Sequence, residues 1–260
     1  MAAEDATRIA SLPVQEQAEE LLARSIGHDE RAIEMFENNI EDWTSNVRLS
    51  DRMKQLDPRA TYSTDLRVRQ ADADLWLAME GWHRNQEAVD LLLQRADQDK
   101  SYRPTAYYML GIEGARGVDS DHVFSVLRDR ALNDPDPVVR QWAVEGLRFF
   151  KTDEALDVLF ESFTHDASYT VRDRAGCNVS DCGIFTRAQR MRFVPKLIEL
   201  ADDPNLNPQM RNWTFMALRE ITDVSLPADA AAWHKWYEEH GSEKAAEFEA
   251  LPWYQVRGDQ

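Results

Sequence analysis

Between Asp134 and Asp166 apolar residues recur with a helical period. Val139, Ala143, Val144 and Leu147 fall at spacings of three and four, which places them on one face of a helix. Lys151 and Thr152 break the pattern, and Ala155, Leu156, Leu159, Phe160 and Phe163 then make a second stripe. Asp136 before Pro137 marks the first helix start, because the carboxylate can accept a free backbone N–H and proline at the first helical position gives up no bond. Asp153 is the expected cap of the second helix. Neither helix can bury its stripe alone, so the pair must lean on neighbours of its own kind.

Those neighbours are in the sequence. With Ala143 and Leu147 as reference, the pair recurs as Ala73 with Leu77, Ala106 with Leu110, Ala175 with Val179, and Thr214 with Leu218. Three residues before the anchor stands Arg103, Arg140, Arg172 or Arg211; the first copy has Gln70 there, with Arg69 beside it. Six residues before three of those arginines stand Asp97, Asp134 and Asp166. The spacing predicts a ladder of ion pairs, each aspartate facing the arginine of the next helix.

The flanks are also helical in pattern. Pro13 opens a helix that Gly27 stops, His28-Asp29 begins a second, and Thr44 or Ser45 caps a third that ends before Asp57-Pro58. Further on, a helix is expected over 187–201, bent by Pro195. Asn207-Pro208 starts the last repeat, and Pro227 with Asp229 opens a helix carrying Trp233, Trp236 and Tyr237 and ended by Gly241.

The run Val-Arg-x-x-Ala-x-x-x-Leu after an aspartate turn is clearest at Val139-Arg140-Gln141-Trp142-Ala143 and, with Val179 in place of leucine, at Val171-Arg172-Asp173-Arg174-Ala175. It resembles the HEAT-repeat family in its short, HEAT-like form, from Thr64 to Thr222. The resemblance implies an all-α fold, a right-handed α-solenoid of about five helical pairs with helical caps at both ends. Residues 1–62 would form the N-terminal cap, 63–223 the repeats, and 224–260 the C-terminal capping helix and tail, in one continuous array. Such scaffolds carry many unrelated jobs, so the fold alone names none.

Composition narrows the choice. The formal charge of −17 repels phosphate backbones and anionic membrane surfaces, and no run of lysines or arginines offsets it. Nucleic acid and membrane are therefore not expected partners. No basic leader or membrane-spanning apolar run is apparent. Cys177 and Cys182 lie five residues apart, about 140° around a regular α-helix, and are expected unbridged, buried and inert in a reducing, cytoplasmic setting.

Catalytic chemistry finds little support in the residues. No two of the six histidines stand at i, i+4, no H-E-x-x-H occurs, and C-x4-C without a second Cys/His pair is not a zinc pattern. No catalytic residue, metal or cofactor is expected. Among HEAT-like enzymes, the deoxyhypusine hydroxylases use His-Glu dipeptides that this chain lacks, and the alkylpurine DNA glycosylases need a basic concave surface. Phycobilin lyases share short repeats of this sort. A ligand-handling enzyme of that kind is the alternative, with a glycosylase behind it.

The expected role is a scaffold for a protein or peptide. Second helices of stacked pairs line the concave face, where variation between repeats sets the ligand. The positions that turn outward there include Asp90, Gln94, Asp129, Asp157, Glu161 and Glu199, an acidic groove suited to a basic segment. An ordinary solvated face is the plainer account of the same residues. Trp142 and Trp213, two residues after a repeat arginine, form a second candidate: an aromatic patch if exposed, core if packed between first helices.

Overall fold

In the computed structural model, which describes residues 1–256, most helices start where a short polar side chain closes the first turn. α1 (Ala3–Ala10) has no such cap and is held by Ala6 and Ile9. α2 (Val14–Ile26) runs from Pro13 to Gly27, and Asp29 accepts the Ala32 N–H to open α3 (Glu30–Asn39). Residues 40–46 form successive turns, so the next start is not at Thr44 or Ser45 but at Ser50, which caps α4 (Asp51–Thr61). α4 continues through Pro58 with Leu56 and Ala60 buried on either side, packing that outweighs one forfeited backbone bond. Asp65 caps α5 (Leu66–Met79) and Asn85 caps α6 (Gln86–Gln98); Pro104 sits in the first turn of α7 (Arg103–Ala115), and α8 spans Ser120–Asn133.

Asp136 caps α9 (Pro137–Leu147) as expected. Thr152, not Asp153, caps α10 (Asp153–His165), its hydroxyl accepting the Ala155 N–H at 3.2 Å. α11 (Tyr169–Cys177) runs into a π-helical turn over Asn178–Cys182. The single bent helix expected next is two: α12 (Arg187–Met191), with a capping box of Thr186 and Gln189, and α13 (Val194–Asp202). Pro195 lies in the first turn of α13, where it starts a helix and bends none. Asn207 caps α14 (Pro208–Thr222) and Asp229 caps α15 (Ala230–Ala250). α15 passes through Gly241: a Cβ there would come within 2.8 Å of the Tyr237 ring, so this glycine serves close packing and not a stop.

The chain is all-α, a repeat fold of the α-solenoid class, and no strand occurs among the described residues. It falls into two compact units, Met1–Val123 and Phe124–Gln260. In the first, α2 packs on α3 and α4, α4 on α5, and α7 on both α5 and α6. Leu21, Leu22, Ile33, Phe36, Trp43, Leu56 and Leu75 fill its core, with the Phe36 and Trp43 rings edge to face at 5.0 Å. Polar groups of α5 are buried with partners: Asp72 accepts from Thr61 at 2.7 Å and Asp74 from Arg116 Nε at 2.9 Å.

In the second unit the first helices α9, α11 and α14 lie side by side, α11 between the other two. α10 packs on α9 and α11, α13 on α14, and α15 covers α12 and α13 with Trp233 wholly buried. Across the two units every anchor side chain is buried, from Ala73 and Leu77 to Thr214 and Leu218.

The repeat arginines do something other than the expected pairing. Arg140 donates to the Asp134 carbonyl at 2.9 Å, Arg172 to the Asp166 carbonyl, Arg103 to the Ala96 carbonyl at 2.7 Å, and Arg211 to the Ala201 and Asp203 carbonyls at 2.6 Å. Arg69, donating to the Ser63 carbonyl at 2.6 Å, fills the role in the first copy. Each guanidinium thus bonds carbonyls at or just before the turn preceding its own helix, mostly at the end of a second helix, where free carbonyls and the dipole favour a cation. The carboxylate of the turn looks elsewhere: that of Asp166 takes Arg140 of the preceding repeat, at 2.7 and 2.9 Å.

The cysteines depart from expectation as well. Cys177 and Cys182 form a disulfide, their Cα atoms 5.3 Å apart. The π-helical turn, with Gly183 N–H donating to the Asn178 carbonyl, winds the chain more slowly than an α-helix and brings residues five apart onto one side. Buried Arg190 pins this turn, donating to the carbonyls of Ser180, Asp181 and Gly183.

Candidate functional site

All six outward positions expected on the second helices are exposed. Asp90 and Gln94 lie on α6 in the first unit, where Asp90 accepts from Gln86 at 3.0 Å. In the second unit Asp129 lies on α8, Asp157 and Glu161 on α10, and Glu199 on α13. Asp157 and Glu161 are brought together: with Glu154, Phe124, Arg128 and Val158 they line a cleft of about 250 Å³ between α8 and α10. Asp129 and Glu199 do not line it.

The face is acidic but not uniformly so. Arg192 reaches Asp153 at 2.6 Å and Asp157 at 3.5 Å, and the Lys196 ammonium lies 5.1 Å from the Phe193 ring and 5.6 Å from that of Phe160. Arg192 stands in the gap between α12 and α13, which the sequence reading had closed. Glu154, Glu161 and the Arg128 guanidinium have no ion pair among the described residues, so the lining is net negative but holds one cation of its own.

On the opposite side of the same repeats, Trp142 of α9, Arg174 of α11 and Trp213 of α14 each immediately precede the anchor. Both tryptophans are half-buried, neither core nor fully exposed. α11, which carries Arg174, lies between α9 and α14, which carry the two tryptophans. Trp213 joins Tyr169, ring centroids 6.2 Å apart, and the two line a depression with Gln141, Thr170, Asp173, Arg174 and Gln209. A second hollow of about 170 Å³ continues from Asp173, Arg174 and Trp213 along α11 and α14, past Gly176, Cys177, Met216 and Ala217, to Ser180 and Glu220. Its floor is Phe163 of α10. The sequence reading missed Tyr169, Asp173 and Glu220. The shared repeat position of Arg174 and the two tryptophans was the signal available for this row.

One buried acid stands apart from both surfaces. Glu113 of α7 is wholly buried and neither carboxylate oxygen has a hydrogen-bond partner. Burial, with a smaller push from the Glu41 carboxylate and an opposing pull from Arg84, raises its pKa to about 8. Among the described residues no three His, Cys, Asp or Glu side chains converge as a metal site would require.

With this geometry in hand, comparison with known proteins finds the model of HEAT repeats matching residues 62–148 and 89–177. Neither a curated protein nor a solved structure matches the chain. No helix among the described residues is long and apolar enough to cross a membrane.

Proposed function

We propose, from the premise that residues 62–177 carry HEAT repeats, that the chain is a non-enzymatic scaffold that holds a basic segment of a protein partner against its acidic second-helix surface. The observation that carries this reading is the cleft between α8 and α10, where the three carboxylates of Glu154, Asp157 and Glu161 outnumber the single cation Arg128 beside the apolar Phe124 and Val158. Carboxylates beside a low-dielectric wall attract a cationic side chain and set its orientation. Glu113 does not speak for catalysis: a general acid must come within hydrogen-bond reach of its substrate, and this one is enclosed.

Affinity capture from native lysate, with wild type beside an Asp157→Asn/Glu161→Gln variant, tests the proposal. A partner retained by wild type at low salt, released at high salt and absent from the variant supports it. A partner held equally by the variant, or none with either protein, overturns it.

The disulfide bears on the setting. A reducing cytoplasm, proposed from the sequence, opens the Cys177–Cys182 bridge, whereas an oxidising compartment keeps it closed. Mass spectrometry of protein alkylated inside intact cells reads which form is present.

A further inference from the structure

We propose that the hollow between α11 and α14 receives an amphipathic helix of a partner protein, with one basic side chain at each end of the hollow and an apolar side chain between. This rests on the scaffold reading above but places a contact on the other side of the repeats. Three observations carry it.

First, the hollow has an acid at each end and nothing answering either. Asp173 and Glu220 are exposed, and neither has a hydrogen bond or ion pair among the described residues. The nearby cation, Arg174, is taken up by Glu145. The lining therefore carries two uncompensated negative charges.

Second, the spacing is fixed. Tyr169, Thr170 and Asp173 share the upper depression with Gln209 and Trp213, so α11 and α14 run in the same direction. Asp173 is then level with Trp213, and Glu220 lies seven residues further along α14. At 1.5 Å per residue the two carboxylates are about 10 Å apart along the groove. Two turns of a helix match that span, so basic residues at i and i+7 meet both acids while i+3 or i+4 points at the floor.

Third, the lining suits such a ligand. The Trp213 ring beside Asp173 offers a face for a guanidinium or ammonium group. Met216, which is 44% exposed, is an adaptable apolar wall above Gly176, against which the Phe163 ring is closely packed. No sheet edge is present for strand addition among the described residues, whereas a helix satisfies its own backbone and docks by side chains alone.

The probe is a capped, alanine-based helical peptide with two arginines seven residues apart and a leucine midway. Its isomer has the second arginine moved to the far side of the helix. Binding is followed by fluorine NMR of protein labelled with 5-fluorotryptophan, the Trp213 signal being assigned through Trp213→Phe. The expected result is a shift of that signal on adding the first peptide, with affinity at least about tenfold weaker for the isomer and for Asp173→Asn/Glu220→Gln. Both replaced residues are exposed, so the variant keeps its fold, which circular dichroism checks. Binding by the Asp157→Asn/Glu161→Gln variant stays unchanged. A Trp213 signal that does not move, or equal affinity of the Asp173/Glu220 variant, overturns the inference. Loss only in the Asp157/Glu161 variant overturns it while leaving the second-helix surface as the site.

Discussion

Glu145 in α9 and Cys177 in α11 both lie two residues past their anchor alanines, and there the two repeats part company. Glu145 accepts from Arg148 at 3.3 Å and from Arg174 on the next first helix, so its repeat reaches forward. Cys177 bonds covalently to Cys182, so its repeat closes on itself. The slot seven residues past the anchor differs in the same way: Cys182 occupies it in α11's repeat, Phe150 in α9's and Glu113 in α7. All three side chains are buried. The anchor slots must be apolar or nearly so, because they form the shared interior. These other slots answer to local needs, and in α11 that need is to fix a π-helical turn.

Glu113 gives the largest expected effect. Its folded pKa lies above the ordinary value of 4.5, so the folded state favours the protonated acid. The stability tied to this group is full below pH 4.5 and drains away as pH rises from there through about 8, a loss on the order of 5 kcal/mol. Glu113→Gln does not titrate and should remove that slope, leaving the variant more stable than wild type at pH 9 and similar at pH 4. Urea unfolding across this range measures it; parallel curves would show that the slot tolerates a charge as readily as Phe150 tolerates burial.

The bridge comes next. Closing a loop of six residues restricts the unfolded chain by about 2 kcal/mol, so Cys177→Ser/Cys182→Ser should destabilise by that amount. Reduction of wild type should match the double variant. A much smaller loss would mean that Arg190 alone secures the turn.

The smallest effect concerns the forward link of α9's repeat. Arg140 bonds both the Asp134 carbonyl and the Asp166 carboxylate, whereas Arg172 has only the carbonyl contact among its described hydrogen bonds. A double-mutant cycle of Arg140→Ala with Asp166→Ala should return a coupling of about 1 kcal/mol. Zero coupling would leave the carbonyl contact as the whole role of the arginine, making the two repeats alike.

How far the residues alone led depends on the kind of signal. The anchors were legible because a buried helix face must be apolar, and Ala73, Ala106, Ala143, Ala175 and Thr214 are all inside. Asp29, Asp136, Asn207 and Asp229 were legible as caps because a first turn has free N–H groups. The π-helical turn left no mark in the apolar period, so the cysteines were placed on the wrong geometry. The break before Val194 was misjudged because proline opens a helix as readily as it bends one. At the candidate sites, Asp157 and Glu161 were visible as outward residues of one helix. Asp173 and Glu220 were not, since they sit on different helices and only packing sets them at two ends of one hollow.

Each repeat arginine closes a turn left by the segment before its own helix. A fragment cut after α10 would keep the Asp166 carbonyl and discard Arg172, the side chain that answers it. Transplanting or deleting copies at helix-pair boundaries therefore severs a bond at both ends. The interchangeable module of this chain runs instead from just after one arginine through the next, which keeps each turn carbonyl with the guanidinium that answers it, and shuffled arrays joined in that frame should tolerate recombination best.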